Sequence, residues 1–271
     1  MNDTGLLPIN AILRGGLPTG LVDIFGETGA GKTAFCAGLV KQASAEGRQA
    51  LWVATTPIEK NALLRMGVPQ NVPVVKAVHW SALTEVLVAA FTATPQLLVI
   101  IDSATGLETQ VSTEDMVGNT DPVENLRELY KALALISEAA QPTGGTLVLI
   151  SEVRAVMNSR NRVRSALPHA CGGLLTARLQ FRIVELKSAY GEVHYKKVSV
   201  KVLNNLLCPP GGEWVLHNFV RTGFDPWLER LKWGIAQGTI INKGAYWVLE
   251  NGTLVGPGYS KAVAQLKEEY E

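Results

Sequence analysis

The chain has 271 residues, 47% hydrophobic and 18% charged, which suits one large α/β domain with at most a small appendage and excludes a disordered chain. The formal net charge of +1 gives no global basic field, so any nucleic-acid contact must be a local patch. Cys36, Cys171 and Cys208 are widely spaced, and neither they nor the four histidines show metal-ligand spacing; this argues against zinc and suits a reducing cytoplasm.

Taken in chain order, the opening "MNDTGLLPIN" lacks a basic segment followed by an apolar run, so no signal peptide is expected and the cytoplasm is the expected location. "GLVDIFG" reads as a short strand ending at Gly26. "KTAFCAGLVKQASAEG" has helical spacing and stops at Gly47. "QALWVATT" is a second buried strand, and "SALTEVLVAAFTA" an amphipathic helix with a start signal at Ser81. "QLLVIIDS" is almost wholly apolar, as expected in the middle of a parallel sheet. The stretch "VLVAAFTATPQLLVII" is broken by Thr, Pro and Gln and does not predict a membrane span. "DPVENLRELYKALALISEAA" predicts a long helix, capped by Asp121 with Pro122 at its first position. "TLVLISEVR" is another buried strand. Such alternation predicts a mostly parallel sheet covered on both faces.

The period then shortens to two. "LQFRIVEL" and "YKKVSVKVLNN" flank a turn at "SAYGE" and predict an antiparallel hairpin extending the sheet. The tail reads as a helix, a small hairpin around "ENG" and a final helix. The expected division is an α/β core over 1–220 and a small α+β segment over 221–271 packed on it. Trp214, Trp227, Trp233 and Trp247 alternate with apolar residues and read as packing aromatics.

"GETGAGKT" carries the chemistry. Gly26, Gly31, Lys32 and Thr33 fit G-x-x-x-x-G-K-[ST], with a strand before and a helix after. Glycines let backbone N–H groups converge on phosphate oxygens, and the helix N-terminus points at the anion. Gly26, Glu27, Thr28, Gly29, Ala30, Gly31, Lys32 and Thr33 are thus the expected nucleotide-binding residues, with Lys32 reaching the β- and γ-phosphates and the Thr33 hydroxyl on Mg²⁺. Asp102, closing the strand "LLVIID", is the matching acid that would hold the Mg²⁺ through water.

A second constellation is basic. Arg154, Arg160, Arg162 and Arg164 lie in "RAVMNSRNRVRSALPHACGG", residues 154–173, a stretch with no acid and a composition suited to a flexible loop. A solvated basic loop is the plainer account of such a run. Its place after a strand neighbouring the nucleotide strand, on the sheet edge where ligands bind, favours phosphate contacts with salt-dependent affinity. No aromatic is available to stack a base, which leaves Met157 or Val163 as the wedge.

Several phrases, in order, resemble the RecA recombinase family, including its phage relatives of the UvsX type. "GGLPTGLVDIFGETGAGKT" is similar to the entry of that ATPase core, and "LLVIIDSATGL" to its second nucleotide motif. "LVLISEVR" takes the place of the strand ending in Asn-Gln-x-Arg, and "CGG" at 171–173 that of the Gly-Gly after the second DNA loop. "GIAQGTIINKGAYWVLENGTLVGPGYSKAVAQLKE" is similar to the end of the core. The resemblance implies ATP-dependent assembly on single-stranded DNA, with strand pairing and exchange. It implies a first mobile loop around 112–121 and a second over 154–173, and adds Gly172 and Gly173 to the DNA-binding residues.

Other positions depart from the family pattern. The glutamate that prepares the attacking water falls, counted without gaps, on Thr55. Glu59 is a weak substitute, reading first as a helix-start acid. The glutamine that senses the γ-phosphate is replaced by Glu152, which becomes the leading candidate base. Two lysines that reach the neighbouring subunit's ATP fall on Asn204 and Leu206. Lys196, Lys197 and Lys201 read most simply as solvated strand lysines. About 25 residues precede the phosphate loop, too few for the family's N-terminal docking arm. The expectation is a RecA-like ATPase of recombination or repair. The alternative is a non-catalytic paralogue that binds ATP and serves as mediator or scaffold for another recombinase or polymerase. A helicase-like motor fits the tail poorly.

Overall fold

In a computed structural model of the protein, residues 1–55, 60–107, 122–155, 163–189, 192–249 and 252–270 are described. The apolar runs become adjacent strands because each is buried on both faces, and the helical runs between them supply the cover. The first half runs α1 (Leu7–Ile12), β1 (Gly20–Gly26), α2 (Lys32–Ala45), β2 (Ala50–Ala54), α3 (Lys60–Arg65), β3 (Val74–Lys76), α4 (Trp80–Ala93), β4 (Leu98–Asp102), α5 (Pro122–Ala140) and β5 (Thr146–Ser151). A short ribbon, β6 (Val153–Ala155) and β7 (Val163–Ser165), precedes the long hairpin β8 (Leu175–Ala189) and β9 (Glu192–Asn205). Then follow β10 (Glu213–Phe219), β11 (Gly223–Phe224), α6 (Pro226–Gln237), β12 (Ile240–Lys243), β13 (Tyr246–Leu249), β14 (Leu254–Pro257) and α7 (Gly258–Tyr270).

The nine-stranded sheet has the order β11-β10-β9-β8-β1-β5-β4-β2-β3. From β8 to β3 the pairings are parallel, and from β8 to β11 antiparallel. The expected α/β architecture, a RecA-like core with a mostly parallel sheet extended by a hairpin, is the one observed. On one face Phe35, Leu39 and Val40 of α2 pack with Val22, Ile24, Ile100 and Val148. On the other, α4 and α5 cover Leu21, Val99, Ile101, Leu147 and Leu149. Each fully buried side chain of this size stabilises the fold by about 1.5–3 kcal/mol relative to exposure. No described helix is long and apolar enough to cross a membrane.

The tail forms its own small core of Leu231, Ile240, Val255, Ala262 and Leu266. Asp225 caps α6, accepting from the Trp227 and Leu228 amides, Pro226 opens it, and Gly238 ends it at φ 78°. Glu229 of α6, fully buried, accepts from the His217 amide at 2.7 Å and from Trp214 Nε1 at 3.2 Å, which ties the tail to β10. Trp214 and Trp233 meet edge-on at 4.9 Å, as packing aromatics do.

Some boundaries differ from the sequence reading. The helix expected to start at Ser81 begins at Trp80, with His79 at the cap position and no side-chain cap. Trp80, 2% exposed, anchors this end in the core, so packing sets the start instead of a serine cap. The tail sheet has a third strand, β12, beyond the expected hairpin. The elements α1, α3, β3, β10 and β11 are not legible as periodic runs. The cap expected at Asp121 and the loop at 112–121 lie outside the described residues.

Candidate nucleotide site

β1 delivers Gly26 against β8 so closely that a Cβ there would stand 2.2 Å from the Phe181 carbonyl oxygen. Only glycine fits this approach. Gly29 and Gly31 then take left-handed backbone angles, φ +78° and +87°, and turn the chain into α2. Gly31 is the N-cap residue, with no side-chain cap, so the first amides of α2 face the loop. Glu27, Thr28 and Gly29 are exposed along the rim, and Ala30 is buried beneath it.

Lys32 Nζ donates to the carbonyls of Gly26 at 2.7 Å and Glu27 at 2.9 Å. The Thr33 hydroxyl donates to Asp102 Oδ2 at 2.9 Å. Parallel pairing of β1, β5 and β4 brings these groups to one end of the sheet, where ligands bind in such folds. Burial lowers the Lys32 pKa, against the opposing pull of Asp102 and then Glu152. Burial likewise raises the Asp102 carboxyl, against the Thr33 hydrogen bond and Lys32. A hydroxyl beside a carboxylate is a hard-oxygen donor pair suited to Mg²⁺, and the amide-lined turn with Lys32 suits a polyphosphate. The residues present therefore fit both groups.

Glu152, exposed just after β5, is close enough to Lys32 for its charge to be felt there. Thr55 is committed to the backbone beside Asp102. Its hydroxyl accepts from the Ser103 amide at 2.9 Å and donates to the Ser103 carbonyl at 3.0 Å. Its own amide donates to the Asp102 carbonyl at 3.0 Å. Thr55 thus pins the chain directly after Asp102. Glu59 lies outside the described residues. Asn205 is a turn former, accepting from the Leu207 amide at 2.9 Å, while Leu206 is 71% exposed.

The basic stretch is more ordered at its ends than a flexible loop. β6 and β7 pair with Arg154 opposite Arg164, and the Glu152 carbonyl accepts from the Ala166 amide at 2.8 Å. Arg164 is exposed. Residues 169–174 form a 3₁₀ helix containing Gly172 and Gly173, where a Cβ would meet nothing within 4 Å. Arg160, Arg162 and Met157 lie outside the described residues, as do the side chains of Arg154 and Val163.

Two features escaped the sequence reading. Asp23, fully buried in β1, accepts from Arg178 Nε of β8 at 2.9 Å. Burial pushes its carboxyl up, while Arg178 and the Ser165 and Ser151 hydroxyls pull it down. The lone acid inside "GLVDIFG" was the available signal. The second is Lys196, expected to be solvated: its Nζ donates to the Gly29 carbonyl of the phosphate loop at 3.1 Å. Its neighbour Lys197 is directed elsewhere along β9 and pairs with Glu185.

Fold and site together define a phosphate-loop α/β protein with a RecA-like core. Comparison with curated proteins points the same way. The chain is 25% identical over 268 residues to protein RecA of Malacoplasma penetrans, covering 97% of this chain and 81% of that one. It is 25% identical over 274 residues to protein RecA of Haemophilus ducreyi, with 99% and 73% covered. Against protein RecA of Staphylococcus aureus the identity is 23% over 273 residues, with 97% and 78% covered. No family model matches the chain. Low identity with nearly complete coverage supports a RecA-like family.

Proposed function

We propose that this chain is an ATP-dependent, single-stranded-DNA-binding recombinase of homologous recombination or repair. The observation carrying this reading is the convergence of Lys32, Thr33, Asp102 and Glu152 at one sheet end, directly at the root of the β6–β7 ribbon. Similarity to RecA proteins along nearly the whole chain supports it. Bound ATP with Mg²⁺ supplies a γ-phosphoryl group for transfer to water and a charge that the fold can sense. Gly26 to Thr33 would hold the phosphates, and Thr33 with Asp102 the metal. Lys32, resting on loop carbonyls, would turn its donors to the phosphates, whose charge would oppose the burial that lowers its pKa.

In this reading Glu152 would orient or deprotonate the attacking water. Its carbonyl is bonded to Ala166, so a shift of Glu152 on the γ-phosphate side would carry the ribbon bearing Arg154 and Arg164 with it. Arg160, Arg162, Gly172 and Gly173 complete the proposed DNA-binding set. In this scheme the nucleotide sets DNA affinity, and self-association along the strand completes the assembly. The test is ATP turnover with and without single-stranded DNA, combined with electron microscopy. DNA-stimulated turnover with filaments supports the reading; tight ATP binding without turnover or polymer rejects it.

The second reading rests on Thr55. Its hydroxyl is committed to the Ser103 backbone and offers no base where the family places a glutamate. A paralogue using ATP as a structural ligand, acting as mediator or scaffold for another recombination protein, would produce the second outcome.

A further inference from the structure

The cleft beside the phosphate loop encloses about 610 Å³, the scale of a nucleotide-sized site. One wall is the loop with Lys32 and Thr33, another is α3 with Arg65, and the third is the β10–β11 turn with Arg221. Lys196 enters from β9. Among its described lining residues the cleft has four cations, Lys32, Arg65, Lys196 and Arg221, and no carboxylate. A cleft so lined attracts an anion of several charges.

Lys196 is the one of these held against the loop from outside it. In the β9–β10 register Lys196 stands directly opposite Asn218. Both side chains lean on the loop: a Cβ added at Gly29 would lie 3.0 Å from Lys196 Nζ, and one at Gly31 2.3 Å from Asn218 Nδ2. The glycines that shape the loop therefore also make room for these two residues. An ammonium has three donors, and the Gly29 carbonyl takes one at 3.1 Å. The others meet no hydrogen-bond partner among the described residues, which leaves them for phosphate oxygens seated on the loop. Asn204 and Leu206, by contrast, bring no charge.

We propose that Lys196 is a second phosphate-binding lysine, supplied by the chain's own β9, that adds a charge-assisted contact to a bound nucleoside triphosphate. The proposal rests on the nucleotide-binding reading and deepens it. It makes each chain's phosphate site more cationic without a lysine from a neighbour. The competing role is purely mechanical, a brace on the Gly29 carbonyl.

The experiment measures binding of a fluorescent ATP analogue with Mg²⁺ to the full chain and to K196A, K196Q, K196R, K197Q and K32A. Glutamine removes the charge and keeps an N–H donor, one bond shorter in reach than the ammonium, so K196R and the salt dependence separate charge from bracing. Expected are a loss of about tenfold in affinity for K196A and K196Q, recovery to within about twofold in K196R, and no change in K197Q. The salt dependence of Kd should also be shallower in K196Q. Wild-type affinity in K196Q would mean bracing alone and would overturn the proposal, as would wild-type affinity in K196A. Failure of the nucleotide reading looks different: the unmodified chain would bind no nucleotide, or K32A would bind as well as wild type. Unchanged circular dichroism and Tm confirm that each variant is folded.

Discussion

The Thr33 hydroxyl donates to Asp102 Oδ2 at 2.9 Å, across 69 residues of chain and between α2 and the end of β4. This contact joins the helix end of the phosphate loop to the acid closing β4. It also sets up a conflict between stability and function, because burial holds the Asp102 carboxyl above its ordinary pKa.

A raised carboxyl pKa means that the folded, ligand-free protein binds more protons than the unfolded chain within that window. The Asp102 contribution is fully present below 3.8 and is lost as pH rises through the folded value. D102N keeps an acceptor for Thr33 and removes the buried charge. It should stabilise the ligand-free protein by about 1 kcal/mol at neutral pH, with the advantage shrinking on acidification. Thermal melts of wild type and D102N from pH 3 to pH 8 check this. Mg²⁺-dependent tightening of ATP binding should be lost in the same variant.

Glu152 is proposed as the group that prepares the water. E152Q should bind ATP within about twofold of wild type while turnover falls by a factor of about 10² or more. Single-turnover hydrolysis alongside equilibrium binding separates the two effects. Unchanged turnover would remove Glu152 from the mechanism.

Thr55 is a structural pin in both readings of function. T55V preserves shape and deletes both hydrogen bonds to Ser103, so it should cost about 1–3 kcal/mol. Urea unfolding should show the midpoint falling with an unchanged slope. Lower nucleotide affinity should accompany it, because the pinned segment follows Asp102.

The Asp23–Arg178 pair spans β1 and β8 beneath the basic ribbon. R178A leaves a fully buried carboxylate without its cation and should cost about 3–5 kcal/mol. Replacing both, D23L with R178M, should recover most of that loss. Comparison of the variants by chemical denaturation measures it.

Arg164 is exposed on the ribbon, opposite Arg154 in register. If it contacts phosphate, R164A should weaken single-stranded DNA binding evenly across sequences and reduce the log–log salt slope by about 1. Titrations at several salt concentrations, on two unrelated oligonucleotides, provide the readout.

The strand–glycine turn–helix unit around residues 26–33 and the strand end at Asp102 were legible in the sequence because their signals are local: a glycine pattern between a strand and a helix, and an acid closing an apolar run. The parallel sheet was legible for the same reason. Lys196 was not, because its role depends on the register that sets it opposite Asn218, and on a strand, β10, whose pattern "EWVLHNF" is weakly periodic. Thr55 was located by counting from the loop, but its bond to Ser103 arises only when β2 and β4 pair. Ser81 misled because a polar residue near a helix start resembles a cap, whereas buried Trp80 sets that boundary.

The central claim is that the nucleotide site governs DNA affinity. The most direct measurement is the Kd for a labelled single-stranded oligonucleotide by fluorescence anisotropy, without nucleotide, with ATP and Mg²⁺, and in K32A. The account predicts binding that tightens with ATP by about tenfold or more in the wild type and not in K32A. Equal affinity in all three conditions would contradict it.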